Sequence, residues 1–294
     1  MRVLITGSKG QVGHCLTEQL KSHSNAQVLA LDSKGLDITD QSAVQAAVNE
    51  FKPTIIINAA AYTAVDRAED EVDLAYAINR DGAKYLAEAA QSVNAAILHI
   101  STDYVFSGDK EGMYTEADLT SPQGIYGESK LAGEKAVIEA CPRHIILRTA
   151  WVFGERGNNF VKTMLRLAKT HDTLGIVGDQ FGGPTYAGDI ASALVAIAKV
   201  IFNGGEDKFG IYHFSGFPHV SWCQFAQAVF DEAVEQGALN KSPIVNSITT
   251  ADYPTPAKRP ANSALSTALI KDKFGIDASD WKAALQNIKA YINI

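Results

Sequence analysis

Short apolar runs alternate with helical patterns along the first half of the chain. Val3 to Thr6, Val28 to Leu31, Thr54 to Asn58, Ala96 to Ser101 and His144 to Arg148 are rich in aliphatic and β-branched residues and lack every-other-residue polarity. Each therefore reads as a strand buried on both faces. Between them, Gln11 to Lys21, Gln41 to Phe51, Asn79 to Gln91 and Gly127 to Glu139 carry helical spacing, the second helix stopping before Pro53. Strand–helix repetition of this kind predicts an α/β fold, a Rossmann-type doubly wound parallel sheet. Ligands of such a sheet bind beyond the carboxyl ends of its strands.

After about residue 150 the pattern loosens. Phe160 to Lys169 and Gly188 to Val200 read as helices, Thr173 to Val177 and Ile211 to Phe214 as strands. Pro243, Pro254, Pro256 and Pro260 mark the stretch from about 240 to 265 as loop. Helical patterns follow at Leu265 to Phe274 and Trp281 to Tyr291. The expected division is a dinucleotide-binding domain over 1–150 and a smaller mixed, mainly substrate-binding region over 151–294, either beside the sheet or sending segments back to it.

The chemistry begins in the loop after the first strand, Gly7-Ser8-Lys9-Gly10-Gln11-Val12-Gly13. Its spacing is GxxGxxG, a variant of the GxGxxG dinucleotide fingerprint, and it sits where that fingerprint belongs, between a strand and a helix. Gly7 allows a tight turn, Gly10 lets backbone approach a pyrophosphate, and Gly13 lets helix and sheet pack closely. Free N–H groups at the helix start favour phosphate. Asp32 ends the second strand, 19 residues after Gly13. An acid there can bind the adenosine ribose hydroxyls and repel a 2′-phosphate, but Ser33 and Lys34 could accommodate that phosphate, so NADPH and NADH both stand open. Asp37 and Ile38 lie where an adenine ring could rest.

The fourth strand leads into Thr102, at the ligand end of the sheet. Tyr126 follows 24 residues later with Lys130 at i+4, on one helical face. A ketone reductase needs a proton donor beside the carbonyl oxygen. An ammonium ~5 Å from a phenol, at an effective dielectric of ~20, favours the phenolate by roughly 3 kcal/mol, about two pKa units. Lys130 is thus expected to bring Tyr126 toward working range, with Thr102 holding the carbonyl oxygen in line. Trp151, after the fifth strand, can stack on a sugar face or fill a domain interface. Arg259, in the proline-rich loop, can pair with a substrate phosphate or stay solvated.

Composition adds exclusions. Of 294 residues, 46% are hydrophobic and 20% charged, with a net charge of −7 and a pI near 5.5. No bulk attraction to nucleic acid or an anionic membrane is expected, and no apolar run approaches bilayer length. Cys15, Cys141 and Cys223 are scattered, without metal-ligand spacing. They read as reduced thiols of a cytoplasmic protein.

Taken together, Gly7 to Gly13, Asn58 to Asp66, Ser101 to Phe106, Tyr126 to Lys130, Arg148 to Gly154, Gly183-Pro184-Thr185 and Arg259 to Ser263 resemble the extended short-chain dehydrogenase/reductase superfamily. Within it, the full chain most resembles the dTDP-4-dehydrorhamnose reductase family. The resemblance implies reduction of the C4 ketone of dTDP-6-deoxy-L-lyxo-4-hexulose to dTDP-L-rhamnose by NADPH or NADH. It implies Tyr126 as proton donor with Lys130 as partner, and Thr102, Asp103, Trp151 and Arg259 at the sugar nucleotide. Gly10, Gln11, Val12, Ala61, Tyr62 and Thr63 would line the cofactor. Some relatives form homodimers through Mg²⁺ bound by glutamates. Here Cys15 occupies one such position, and a thiol is a poor ligand for that ion, so no metal is expected and dimerisation by that route is in doubt. Two further readings differ in class. A sugar 4-epimerase would use the same Tyr and Lys but retain its coenzyme. A non-catalytic subunit like the methionine adenosyltransferase β-subunit would not need the intact Thr102, Tyr126 and Lys130. A dehydratase would need a second carboxylate where Tyr104 follows Asp103.

Overall fold

The computed structural model describes residues 1–22 and 26–292. Its central sheet contains β1 (Arg2–Thr6), β2 (Gln27–Leu31), β3 (Ile55–Asn58), β4 (Ala96–Thr102), β5 (His144–Thr149) and a late strand, Gly210–His213, all parallel. The order is β2-β1-β3-β4-β5 with the late strand outermost beside β5. The chain moves outward one way from β1 to β2 and the other way from β3, so the switch point lies between β1 and β3, where such sheets bind ligands. Val3, Leu4, Ile5, Ile55, Ile56 and Ile57 have at most 1% exposure, which is why these runs showed no polar alternation.

Helices cover both faces. One carries α1 (Gln11–Lys21), packed with the long Ala187–Phe202 helix over Val3, Ile5, Ile55 and Ile57. The other carries α2 (Gln41–Phe51), and beyond a short α3 (Val65–Ala68), the run α4 (Val72–Tyr76), a π-helical turn Ala77–Gly82 and α5 (Ala83–Ser92), followed by α6 (Ile125–Ala140). The expected helix from Asn79 therefore begins seven residues earlier and contains a π turn. Such bulges cluster at functional sites.

Much of the remainder forms a smaller lobe around its own core, while the Ala187–Phe202 helix, the late strand and the Ala268–Phe274 helix pack on the main sheet. The remainder contains β6 (Val152–Phe153), α7 (Phe160–Leu167), β7 (Thr173–Val177), β8 (Phe181–Gly182), β9 (Thr185–Tyr186), then α8 (the Ala187–Phe202 helix) and β10 (the late strand) on the main sheet. Next come β11 (Val220–Ser221), α9 (Trp222–Glu235), β12 (Ile244–Ile248), β13 (Asn262–Ser263), α10 (Ala268–Phe274) and α11 (Trp281–Leu285). Phe153, Val161, Phe225, Phe230 and Trp281 are buried in the lobe.

Three expectations need correction here. Ile244–Ile248 is not loop but a strand parallel to β7. Its prolines flank it rather than interrupt it. The helix expected from Leu265 starts at Ala268, because Leu265 bridges to Tyr114. The last expected helix divides into α11 and a 3₁₀ turn, Ile288–Tyr291. α9 was not anticipated, although Ser221 and Gln224 form a capping box at its start.

Candidate active site

The glycine loop turns sharply after β1. Gly7 has φ +70°, and a Cβ there would lie 2.6 Å from the backbone of Ala59 and Ala60. At Gly13 a Cβ would stand 2.1 Å from the Gly7 carbonyl oxygen. The first glycine thus lets the loop close on the segment after β3, and the third lets α1 close on the loop. Gly10 caps α1 with no side-chain hydrogen bond, leaving backbone N–H groups for an anion.

Beside this loop, at the switch point, lies a cleft of about 490 Å³ lined by Gly7, Lys9, Gly10, Asp32, Ser33, Lys34, Asp37, Ile38 and the small Ala59-Ala60-Ala61 backbone. A close-walled, glycine- and alanine-lined trough ending in an acid is the shape a dinucleotide requires, and these residues fit one. The Asp32 carboxylate is not bare. It pairs with the Lys9 ammonium and accepts hydrogen bonds from the Lys34 and Gly35 N–H groups at 3.1 and 2.9 Å. These partners, Lys9 foremost, hold its pKa below the usual carboxylate value.

Of the other expected cofactor residues, Asp37 and Ile38 stand in the cleft wall, while Gln11, Val12, Tyr62 and Thr63 are not part of it. Val12 is buried in the core under the sheet, and the Gln11 side chain accepts from Asn159 at 2.9 Å. Asp37 accepts the N–H and hydroxyl of Thr39 at 2.9 and 2.8 Å. Ile38 packs against Gly82 of the π turn, where a Cβ would approach to 2.7 Å. Thr63 is exposed. Tyr62 is held by a residue the sequence reading left without a role. Asn79 of the π turn accepts the Tyr62 N–H at 2.9 Å, donates to its carbonyl at 3.1 Å, and donates to the Ser129 hydroxyl on α6 at 3.0 Å. Asn79 thus ties the Ala61–Thr63 loop to the helix that carries Tyr126.

Thr102, Asp103 and Tyr126 come together at the carboxyl end of β4. The Thr102 hydroxyl donates to the Asp103 carboxylate at 3.0 Å and accepts the Tyr104 N–H at 3.2 Å. Asp103 is 4% exposed, and its Oδ2 has no hydrogen-bond partner. Burial pushes its pKa up to about 6 against the pull of Ser263 and Thr102. The Tyr126 ring meets Tyr104 edge-on, centroids 5.3 Å apart.

Tyr126 and Lys130 do not behave as expected. Burial drives the Tyr126 phenol well above its ordinary pKa, opposed by the Thr102 hydroxyl, and Lys130 is not among the groups that act on it. The Lys130 ammonium instead donates to the Ile100 carbonyl at 2.7 Å. Burial lowers Lys130 itself to about 8, countered by Glu134. In this arrangement one N–H of the ammonium is taken by the backbone of β4, and the anticipated lowering of the phenol is absent.

The two remaining candidates are already engaged. Trp151, with φ +49°, stacks on Trp222, centroids 3.4 Å and planes 7° apart. Its indole also fills the space over Gly182, where a Cβ would come within 2.6 Å. It therefore lies at the seam between sheet and lobe, with part of its surface still exposed. Arg259, partly exposed, pairs with Asp66 at 2.6 Å and donates to the Tyr104 hydroxyl at 3.2 Å, so a phosphate would have to compete with Asp66 for it. Cys15 is partly buried, and its pKa is raised to about 11 by burial and by Glu155. A protonated thiol at that position does not fit Mg²⁺.

Comparison with known proteins assigns the chain to one family. Residues 1–293 match the family model of the RmlD substrate binding domain. The chain is 58% identical over 290 residues to dTDP-4-dehydrorhamnose reductase of Aggregatibacter actinomycetemcomitans, covering 99% of each. Among solved structures it resembles a dTDP-4-dehydrorhamnose reductase of Clostridium acetobutylicum, with TM-score 0.90, 42% identity and 98% of each chain covered. It also resembles that of Bacillus anthracis in complex with NADP, with TM-score 0.89, 41% identity and 97% of each chain covered.

Proposed function

Because this chain belongs to the RmlD substrate binding domain family, we propose that it reduces the C4 ketone of dTDP-6-deoxy-L-lyxo-4-hexulose to dTDP-L-rhamnose, with Tyr126 delivering the proton. The chain is an oxidoreductase of the dTDP-4-dehydrorhamnose reductase kind and works with a nicotinamide coenzyme. The finer reading rests above all on Thr102, Asp103 and Tyr126 meeting at the end of β4, on the same carboxyl edge of the sheet that carries the glycine loop. The relatives' printed activities favour it over an epimerase or a non-catalytic subunit.

In this reading residues 1–150 chiefly hold the coenzyme and 151–294 chiefly the sugar nucleotide. The coenzyme, when bound, supplies the hydride. Gly7, Gly10 and Ala61 let it approach the backbone, Asp32 and Lys9 face its ribose end, and Lys130 steadies the nicotinamide end. The chain does the rest. Thr102 holds the sugar's carbonyl oxygen, and the Tyr126 hydroxyl donates its proton to that oxygen as negative charge develops there. A raised pKa keeps Tyr126 protonated throughout the neutral range, as a donor must be. Asp103 contacts the sugar beside Thr102. Arg259 is released from Asp66 to meet the diphosphate. Cys15, Cys141 and Cys223 are all free thiols, which suits a cytoplasmic setting.

The test is a direct assay with dTDP-6-deoxy-L-lyxo-4-hexulose and each coenzyme in turn. Loss of the reduced nicotinamide absorbance together with formation of dTDP-L-rhamnose is expected. An absence of oxidation with either coenzyme would remove the reading.

A further inference from the structure

Glu134 is a carboxylate with 1% of its side chain exposed, one turn beyond Lys130 on α6. Removing a carboxylate from water costs several kcal/mol unless it is paired and hydrogen-bonded. Here the carboxylate is fully engaged, although Nη1 of its arginine partner is buried without a hydrogen bond. Arg148 of β5 donates from Nε to Oε1 at 2.9 Å and from Nη2 to Oε2 at 2.7 Å, and the Ser101 hydroxyl donates to Oε1. Apolar residues of the same volume would stabilise such a site as well or better, so stability alone is a poor account of the pair.

Its placement supplies a better one. α6 presents Tyr126, Lys130 and Glu134 at four-residue intervals, hence along one face. The end of β4 meets all three. Thr102 stands by Tyr126, the Ile100 carbonyl takes the Lys130 ammonium, and the Ser101 hydroxyl takes Glu134. Lys130 is 2% exposed. The titratable groups around it are Glu134 and Tyr126 on its own helix, His99 on β4, and Arg148 on β5 behind Glu134. Burial keeps His99 neutral, with the Lys130 charge adding to that effect, and the phenol stays protonated. Among the described residues Glu134 is thus the anion that acts on Lys130.

We propose that Glu134, braced by Arg148 and Ser101 on the same buried face of α6, is a positioning residue that keeps Lys130 in its ammonium form, and so sets the alkaline limit of coenzyme binding and turnover. This rests on Lys130 serving the coenzyme, as read above. Glu134 lies one helical turn from Lys130 on a buried face, and removing an opposite charge from such a neighbour lowers a lysine pKa by about one unit. Lys130 would then lose its proton at lower pH.

The experiment is the pH dependence of kcat/KM and of NADPH affinity, from neutral to alkaline, with thermal melting as the control for folding. Glu134→Gln should move the alkaline limb of both profiles down by about one pH unit, and Glu134→Asp should restore part of the shift. Because Glu134→Gln strands Arg148 in the core, the double variant Glu134→Gln/Arg148→Met is made beside it. It removes both charges at similar volume and should keep the shifted limb in a folded protein. An unshifted limb in the folded double variant overturns the proposal. Loss of cooperative melting in both variants also overturns it, since the pair would then be a structural brace. Lys130→Ala distinguishes the premise. If it leaves NADPH affinity and rate intact, the role given to Lys130 fails, whatever Glu134 does.

Discussion

Arg259 and Asp66 lie 193 residues apart in sequence and 2.6 Å apart in space. The pair joins the proline-rich loop to α3, at the edge of the site where Tyr104 and Tyr126 meet. Any anion that binds Arg259 must first compete with this carboxylate. Partly exposed pairs of this kind are worth up to about 1 kcal/mol, so Asp66→Asn should lower KM for the sugar nucleotide by about two- to fivefold while kcat changes little. Arg259→Ala should raise it. Steady-state kinetics decide the matter, and an unchanged or higher KM in Asp66→Asn would mean that Arg259 does not serve the diphosphate.

Tyr126→Phe removes one oxygen and keeps the ring that packs on Tyr104. NADPH affinity and melting temperature should hold, while kcat falls by about 10²- to 10⁴-fold, the usual worth of a positioned proton donor. Turnover at the wild-type level would assign the proton to another group.

Asp103 should trade stability for substrate recognition. Its folded pKa, about 6, lies above the ordinary carboxylate value of 3.8. The folded state therefore binds the proton more tightly than the unfolded chain. Stability is greatest below the ordinary pKa and is lost as pH rises through about 6. Asp103→Asn should then melt higher than wild type at neutral pH, by a margin on the order of 1–3 kcal/mol, with the difference shrinking in acid. Its KM for the sugar nucleotide should rise. Melting curves at two pH values check the first part and kinetics the second.

Lys9 neutralises the carboxylate that would otherwise repel a 2′-phosphate. Lys9→Ala should therefore shift the ratio of kcat/KM for NADPH over NADH several-fold toward NADH, and Asp32→Ala should shift it the other way. Equal loss with both coenzymes would show that the Lys9–Asp32 pair does not discriminate between them.

Gly133 passes so close to the π turn that a Cβ would stand 2.0 Å from the Asn79 carbonyl oxygen. Gly133→Ala should destabilise the fold by about 1–3 kcal/mol, as overpacking does. It should also weaken coenzyme binding, because Asn79 holds the Tyr62 loop. Denaturant titration and NADPH affinity measure the two effects.

The strands of the main sheet were readable to within two residues because burial on both faces leaves an uninterrupted aliphatic signature. α1 and α2 were readable for the opposite reason, one apolar stripe between polar ones. β12 was not, since its Ile-Val-Asn-Ser-Ile run is half-exposed on a two-stranded edge and stands among prolines. α9 carried both its capping box and an apolar stripe, Phe225, Ala226, Val229, Phe230 and Ala233, in plain view. Among site residues, the glycines and Tyr126 announce themselves by local spacing. Asn79, Asp66 and Trp222 do not, because each matters through a partner far away in sequence. The acidity of Tyr126 was misjudged for a related reason. Spacing placed a lysine on its face of the helix but could not reveal that the Ile100 carbonyl had taken the ammonium.

The indole pair across the seam has an optical consequence. The protein contains only three tryptophans, and two of them, Trp151 and Trp222, are stacked face to face, one following the last buried strand of the first half and the other opening the lobe's central helix. Stacked indoles exchange excitation and quench one another, so Trp281 should dominate the emission of the native protein. Any motion that parts the lobe from the sheet by even a few ångströms would light up the other two, giving the molecule a built-in gauge of its own opening that needs no added dye.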